Sequence, residues 1–191
     1  MKTQKQKVPD QLVPEQTNEQ LLEKVMVQYG EDIKRILYGY TKNWSITDDL
    51  TQDTFVTVYL KLDEFRGESS LKTWIYRIAI NKAKDYLRSF SYRKFVLADK
   101  FSENKRDPRL QPEEELLKNL ENRQLLAEIY KLPVKYREVI ILFYLKELSI
   151  EEISDILEMN SSTIKTRLNR GREKLRKSYV LEGGNINGLK A

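Results

Sequence analysis

The chain has 191 residues, a third of them charged and 40% hydrophobic, with formal net charge +5, no cysteine and no histidine. The missing cysteines exclude disulfides and thiolate metal sites, and the missing histidines remove the commonest general base and metal ligand. No apolar run reaches 18 residues, the polar N-terminus lacks the apolar core of a secretory signal, and a pI near 9.2 points to an anionic partner such as nucleic acid.

Seven glycines, five prolines and few alternating β-branched runs predict an all-α chain, long enough for two small helical domains, and the absence of cysteine fits a cytoplasmic protein. Residues 1–17, with two prolines, read as a flexible leader. A first domain is predicted over 18–94. Its opening helix, Asn18 to Lys42, carries a core stripe of Leu21, Leu22, Val25, Met26 and Tyr29, continued by Ile33, Ile36, Leu37 and Tyr40. A strongly amphipathic helix from Ile46 to Phe65 follows, capped by Thr47, with Leu50, Phe55, Val58, Tyr59 and Leu62 inward. Asp48, Asp49, Asp53, Asp63 and Glu64 give it an acidic face unsuited to DNA, which fits either a solvated surface or a protein partner. After the polar turn Arg66 to Ser70, Leu71 to Lys94 reads as a basic helix. It interleaves cations with Trp74, Tyr76, Tyr86, Phe90 and Tyr92, a pattern able to hold a phosphate backbone and receive unstacked bases. For Trp74 core packing is the better reading; for Tyr76 core and base contact are balanced.

Residues 95–118 are polar, with Pro108 and Pro112, and read as a linker. As a coil it spans roughly 30 Å, and stretched about 90–100 Å. A second domain is predicted over 119–178, followed by a flexible tail, 179–191. Pro133 suits the first turn of a helix running to Leu145. Ile150, Ile153, Ile156 and Leu157 then share one face of a short helix. Asn160 or Ser161 can cap a longer one in which Ile164, Leu168, Gly171 and Leu175 face inward. From Asn160 to Lys177 there are seven basic residues against one acid, Glu173. A short helix, a turn and a longer basic helix is the layout of a helix-turn-helix, whose second helix lies in the major groove.

Two basic helical modules, one with aromatics, joined by a linker, resemble the extracytoplasmic-function group of bacterial sigma factors, the smallest members of the sigma-70 family. The resemblance runs from about Leu21 to Lys177. It rests on DDLTQDTFVTVYLKLDEFRGESSLKTWIYRIAINKAKDYLR in the first module, and on LPVKYREVIILFYLKELSIEEISDIL with STIKTRLNRGREKLR in the second. It implies a sigma-2-like and a sigma-4-like domain. It also implies a non-enzymatic subunit that binds core RNA polymerase, recognises −10 and −35 promoter elements and starts transcription of stress or envelope-response genes. Asp48, Asp49, Leu50, Gln52, Asp53 and Phe55 correspond to the surface that docks on the β′ clamp coiled coil; the β flap is the other polymerase contact implied. Phe65, Arg66, Gly67, Glu68, Ser69 and Ser70 correspond to the loop that captures a flipped −10 base, which needs a pocket to offset unstacking. Lys72, Tyr76, Arg77, Asn81, Lys84 and Arg88 would join them on −10 strand or backbone. For the −35 element the matching positions are Lys165, Thr166, Arg167, Asn169 and Arg170, with Ser161, Ser162 and Thr163 near phosphates at the helix N-terminus. The resemblance implies no cofactor and no metal. It does imply an anti-sigma factor, membrane-anchored in many members.

Three positions depart from the family pattern. Glu158 stands where the turn usually has glycine, Ser154 where alanine is usual, and Asn169 where an aromatic or histidine is frequent. Two other readings fit parts of the pattern. One is a stand-alone helix-turn-helix regulator binding DNA as a dimer, which leaves the first module unexplained. The other is a nucleic-acid enzyme with Asp48 and Asp49 on Mg²⁺, which lacks histidine, cysteine and a glycine-rich phosphate loop.

Overall fold

The computed structural model describes residues 17–89 and 120–181, with side chains for 17–89 and 124–178. The expectations for the leader, the linker and the tail fall outside the described residues. All regular structure within them is helical.

Helix α1, Asn18–Thr41, begins with a capping box: Thr17 accepts from the Gln20 N–H while the Gln20 side chain accepts from the Thr17 N–H. Helix α2, Trp44–Lys61, starts earlier than predicted. Its cap is Asn43, in extended backbone, whose side chain accepts from the Ile46 N–H at 3.1 Å. Thr47, the predicted cap, lies one turn inside the helix, fully buried, with its hydroxyl on the Asn43 carbonyl at 2.8 Å. Helix α2 tightens into a 3₁₀ turn, Leu62–Glu64, before the loop that leads to α3, Leu71–Arg88. Ser70 caps α3 through the Thr73 N–H.

In the second module, α4 (Leu120–Lys131) is followed by α5 (Val134–Ile140), with Pro133 at its N-cap position. The predicted helix to Leu145 is not α throughout: Ile141–Leu145 widens into a π turn. The helix-turn-helix is α6 (Ile150–Leu157) and α7 (Ser161–Leu181). A Ser149–Glu152 capping box starts α6, and Asn160 starts α7 by accepting from the Thr163 N–H at 2.8 Å.

Ile33, Leu37, Val58, Ile75 and Ile80 fill the first module; Ile140, Leu142, Ile153, Ile156, Ile164 and Leu175 fill the second. Gly171 lets α7 pass close to α5, since a Cβ there would sit 3.1 Å from Ile140 Cγ1. The modules also touch each other. Gly39 of α1 meets Ile141, and the Tyr38 ring stands edge-on to Tyr130 with centroids 5.1 Å apart.

Two predicted core residues face out instead. Met26 is 47% exposed, and Tyr59 turns its hydroxyl to Glu19 at 2.7 Å. Helical spacing put both on the apparent stripe, but each lines a groove between α1 and α2 instead.

Candidate partner and nucleic-acid interfaces

The buried face of α2 is largely threonine. Thr47, Thr51 and Thr54 are at most 5% exposed, and each satisfies its hydroxyl on a carbonyl one turn back, Thr51 to Thr47 and Thr54 to Leu50 at 2.7 Å. Back-bonding lets a polar side chain be buried in a helix without an orphaned hydroxyl. The apolar residues that are not needed inside then appear outside. Val56, Tyr59 and Leu60 from α2 and Met26 and Val27 from α1 are exposed and line a groove of about 1030 Å³. The prediction of a strongly amphipathic helix with an acidic outer face is corrected accordingly: acids are present, but beside an apolar strip. Of the predicted polymerase-docking residues, Asp48, Gln52 and Phe55 line this groove, with Asp48 3.8 Å from Lys34. Asp49 and Asp53 are exposed nearby, Leu50 is half-buried, and Phe55 is buried except at the groove floor.

The loop after α2 exposes Arg66, Gly67, Glu68 and Ser70, and leaves Ser69 half-buried. Gly67 takes φ +71°, open to glycine at little cost. Phe65 is half-buried against Trp74, with centroids 5.3 Å apart, which anchors the loop to α3. On α3, Arg77, Asn81, Lys84 and Arg88 recur at steps of four, three and four and form one stripe. Arg77 has its Nε buried without a hydrogen-bond partner, and Arg88 sits 3.7 Å from Asp85. Lys72 and Tyr76 lie on another face. Tyr76 has no exposed surface and donates to Asp32 at 2.7 Å, so the balance between core and base contact falls to core. Burial first, and then the Asp32 bond, push its phenol far above the ordinary range, so it stays a neutral donor. Lys72 lies over the Tyr76 ring, its Nζ 5.7 Å from the centroid.

On α7, Ser162, Lys165, Thr166, Asn169 and Arg170 are exposed and Ser161 and Thr163 half-buried. Asn169 accepts from Arg172. Arg167 departs from expectation: its guanidinium donates to Glu138 at 2.6 Å, which ties it to α5. The helix N-terminus opens on a hollow of about 270 Å³ lined by Lys135, Tyr136, Ser162, Thr163, Thr166, Arg167 and Arg170. Lys135 escaped the sequence reading because it belongs to α5, 26 positions away, where no local pattern distinguishes it. Among the described residues no cluster of acids could hold a metal, and no helix is long and apolar enough to cross a membrane.

An acid-flanked apolar groove, a glycine loop beside a basic helix, and a basic helix-turn-helix together define a two-module, all-helical class of protein with the layout of a nucleic-acid binder. Residues 25–91 match Sigma-70 region 2, and residues 122–175 match Sigma-70 region 4. The chain is 34% identical over 157 residues to the ECF RNA polymerase sigma factor SigW of Bacillus subtilis, covering 78% of this chain and 83% of that relative. It is 32% identical over 156 residues to the ECF RNA polymerase sigma-E factor of Escherichia coli, covering 78% and 81%. Among solved structures, the sigma factor RpoE in complex with the anti-sigma factor NepR from Bartonella quintana has the same fold, with a TM-score of 0.66 at 22% identity over 81% of this chain and 94% of that one. CnrH in complex with the cytosolic domain of CnrY matches with a TM-score of 0.60 at 23% identity over 87% and 91%. The chain belongs to the sigma-70 family, as an RNA polymerase sigma factor of the extracytoplasmic-function group.

Proposed function

We propose that this sigma factor docks on core polymerase through the α1–α2 groove. The carrying observation is the apolar strip: of the six large hydrophobic side chains exposed among the described residues, five line that groove. Asp48, Asp49, Gln52 and Asp53 flank the strip, with Leu50 and Phe55 below, and suit a helical partner carrying apolar and basic residues. In the same reading, the loop Phe65 to Ser70 with Arg77, Asn81, Lys84 and Arg88 meets the −10 strand, and Lys72 joins them. Tyr76 is left out because its ring is buried. Lys165, Thr166, Asn169 and Arg170 read the −35 element, while Ser161, Ser162, Thr163 and Lys135 hold its phosphates. Arg167 acts as a positioning residue through Glu138. An anti-sigma factor is the second protein partner we propose, as the resemblance implies. The chain works in the cytoplasm with polymerase and performs no catalytic step of its own.

The test is Leu60→Asp. Leu60 is 71% exposed, so its replacement leaves the core intact. Burying a leucine contributes roughly 1.5–3 kcal/mol, so core-polymerase affinity should fall at least about tenfold, with helicity and −35 DNA binding unchanged. Undiminished affinity for core would remove the groove from the polymerase interface.

A further inference from the structure

Lys165, Thr166, Asn169 and Arg170 are exposed on α7 and share one face of the helix. Arg172 lies about two turns beyond Lys165 and extends that face. Lysine and arginine can only donate hydrogen bonds, whereas a threonine hydroxyl and an asparagine amide can both donate and accept. Here bonds within the helix decide for both. The Thr166 hydroxyl donates to the Ser162 carbonyl at 2.8 Å, which leaves it able only to accept. The half-buried Arg172 guanidinium donates through Nη2 to Asn169 Oδ1. Among the described residues, the Nδ2 amino group is then the free end of the Asn169 amide.

Asparagine reads adenine with both ends of its amide: Oδ1 accepts from the N6 amino group while Nδ2 donates to N7. Placing Oδ1 on adenine here would set the base in competition with a guanidinium, and a hydrogen bond from a charged donor is roughly twice as strong as one from a neutral donor. The guanidinium also puts a positive charge beside any base the amide meets. Guanine carries acceptors at both N7 and O6, cytosine presents an amino donor, and thymine has a single acceptor beside a methyl group. An amide that only donates, flanked by a cation, suits guanine best and cytosine least. We propose that Arg172 determines −35 specificity as a positioning residue: by engaging Oδ1 it turns Asn169 from an adenine reader into a guanine reader at one base pair. The proposal rests on the −35 reading of α7. It concerns a departure of this chain, because the aromatic residue or histidine frequent at the Asn169 position offers Arg172 no amide oxygen.

The test is base selection by the holoenzyme, formed from core polymerase and the full chain, on a pool of promoter duplexes randomised across the −35 element. Sequencing the bound fraction gives the preference at each position. Asn169→Ala marks the base pair concerned, where preference should be lost. At that pair the wild-type chain should favour guanine over adenine about tenfold, within the range of one well-made base contact. Arg172→Ala should reverse the order in favour of adenine by a similar factor, with the other positions unchanged. Asn169→Asp keeps an oxygen for Arg172 and removes the amino donor, so it should shift the preference to cytosine, whose N4 donates to a carboxylate. A role in helix stability or phosphate binding alone would lower affinity for all duplexes equally and leave the base order as it was. That outcome, or adenine chosen by the wild-type chain at this pair, would overturn the proposal while selection at the other positions upheld the −35 reading. No preference anywhere in the element would overturn the −35 reading, and the proposal with it.

Discussion

At Glu158 the backbone takes φ 55° and ψ 48°, the left-handed conformation that the family's usual glycine would adopt freely. A side chain there costs roughly 1 kcal/mol. The neighbouring departure offsets part of this: the Ser154 hydroxyl, absent from the usual alanine, donates to the Met159 carbonyl and ties the turn together, while the Met159 N–H returns to the Ser154 carbonyl at 3.1 Å. The two substitutions therefore act as a pair. Glu158→Gly should stabilise the fold by about 1 kcal/mol, and Ser154→Ala should destabilise it by a similar ~1 kcal/mol, both read from urea unfolding midpoints. A Glu158→Gly variant no more stable than the parent would show that the left-handed residue carries no strain here.

At the level of elements, each surface is made by two helices or by a helix and a loop. The phosphate hollow illustrates this. Lys135 comes from the first turn of α5, while Ser162, Thr163 and Arg170 come from α7. A lysine at a helix N-terminus acts as a point charge and carries no base information, whereas an arginine on the exposed face of a recognition helix can bond base edges. Lys135→Ala should weaken DNA binding equally across promoter sequences and lower the salt slope by about 1, whereas Arg170→Ala should cost about 1–3 kcal/mol and relax preference at one −35 position. Binding titrations at several salt concentrations on matched and mismatched duplexes would separate the two roles; identical behaviour of both variants would count against the division.

For the molecule as a whole, the Lys146–Asp32 pair links the contact between the two modules to pH. Burial pushes the Asp32 carboxyl up, but the Lys146 and Tyr76 hydrogen bonds, with the Lys146 and Arg35 charges, outweigh it and hold the group below the ordinary carboxylate value. Burial pulls Lys146 down, against the Asp32 bond and charge that keep its proton on. Because the folded Asp32 value is depressed, its stabilising contribution is complete above an unperturbed value of about 4 and is lost as pH falls through the folded value. Asp32→Asn should therefore be less stable than wild type at pH 7, and the gap should narrow at pH 3, measured by urea titration at both. A gap that is unchanged at pH 3 would show that Asp32 stabilises through packing rather than charge.

Local pattern determined much of this protein. Periodicity placed the helices and basic faces, and the helix-turn-helix with its inward Gly171 and a cap at Asn160 or Ser161 was legible because those signals depend on neighbours within one or two turns; the cap expected at Thr47 fell instead to Asn43. The turn at Glu158 was legible for the same reason. Other features depended on which surface meets which. Met26 and Tyr59 fell on the predicted core stripe and turned outward, where they line the groove between α1 and α2. Threonines with polar labels went inside, because back-bonding satisfied them. Tyr76, equally suited to a base or a core, was taken by Asp32, a residue 44 positions away in sequence. Arg167 was taken by Glu138. Helix propensity and hydrophobic spacing are short-range quantities. Burial of a charge and the pairing of two modules are settled only by contacts between distant segments, and those exist only once the chain has folded.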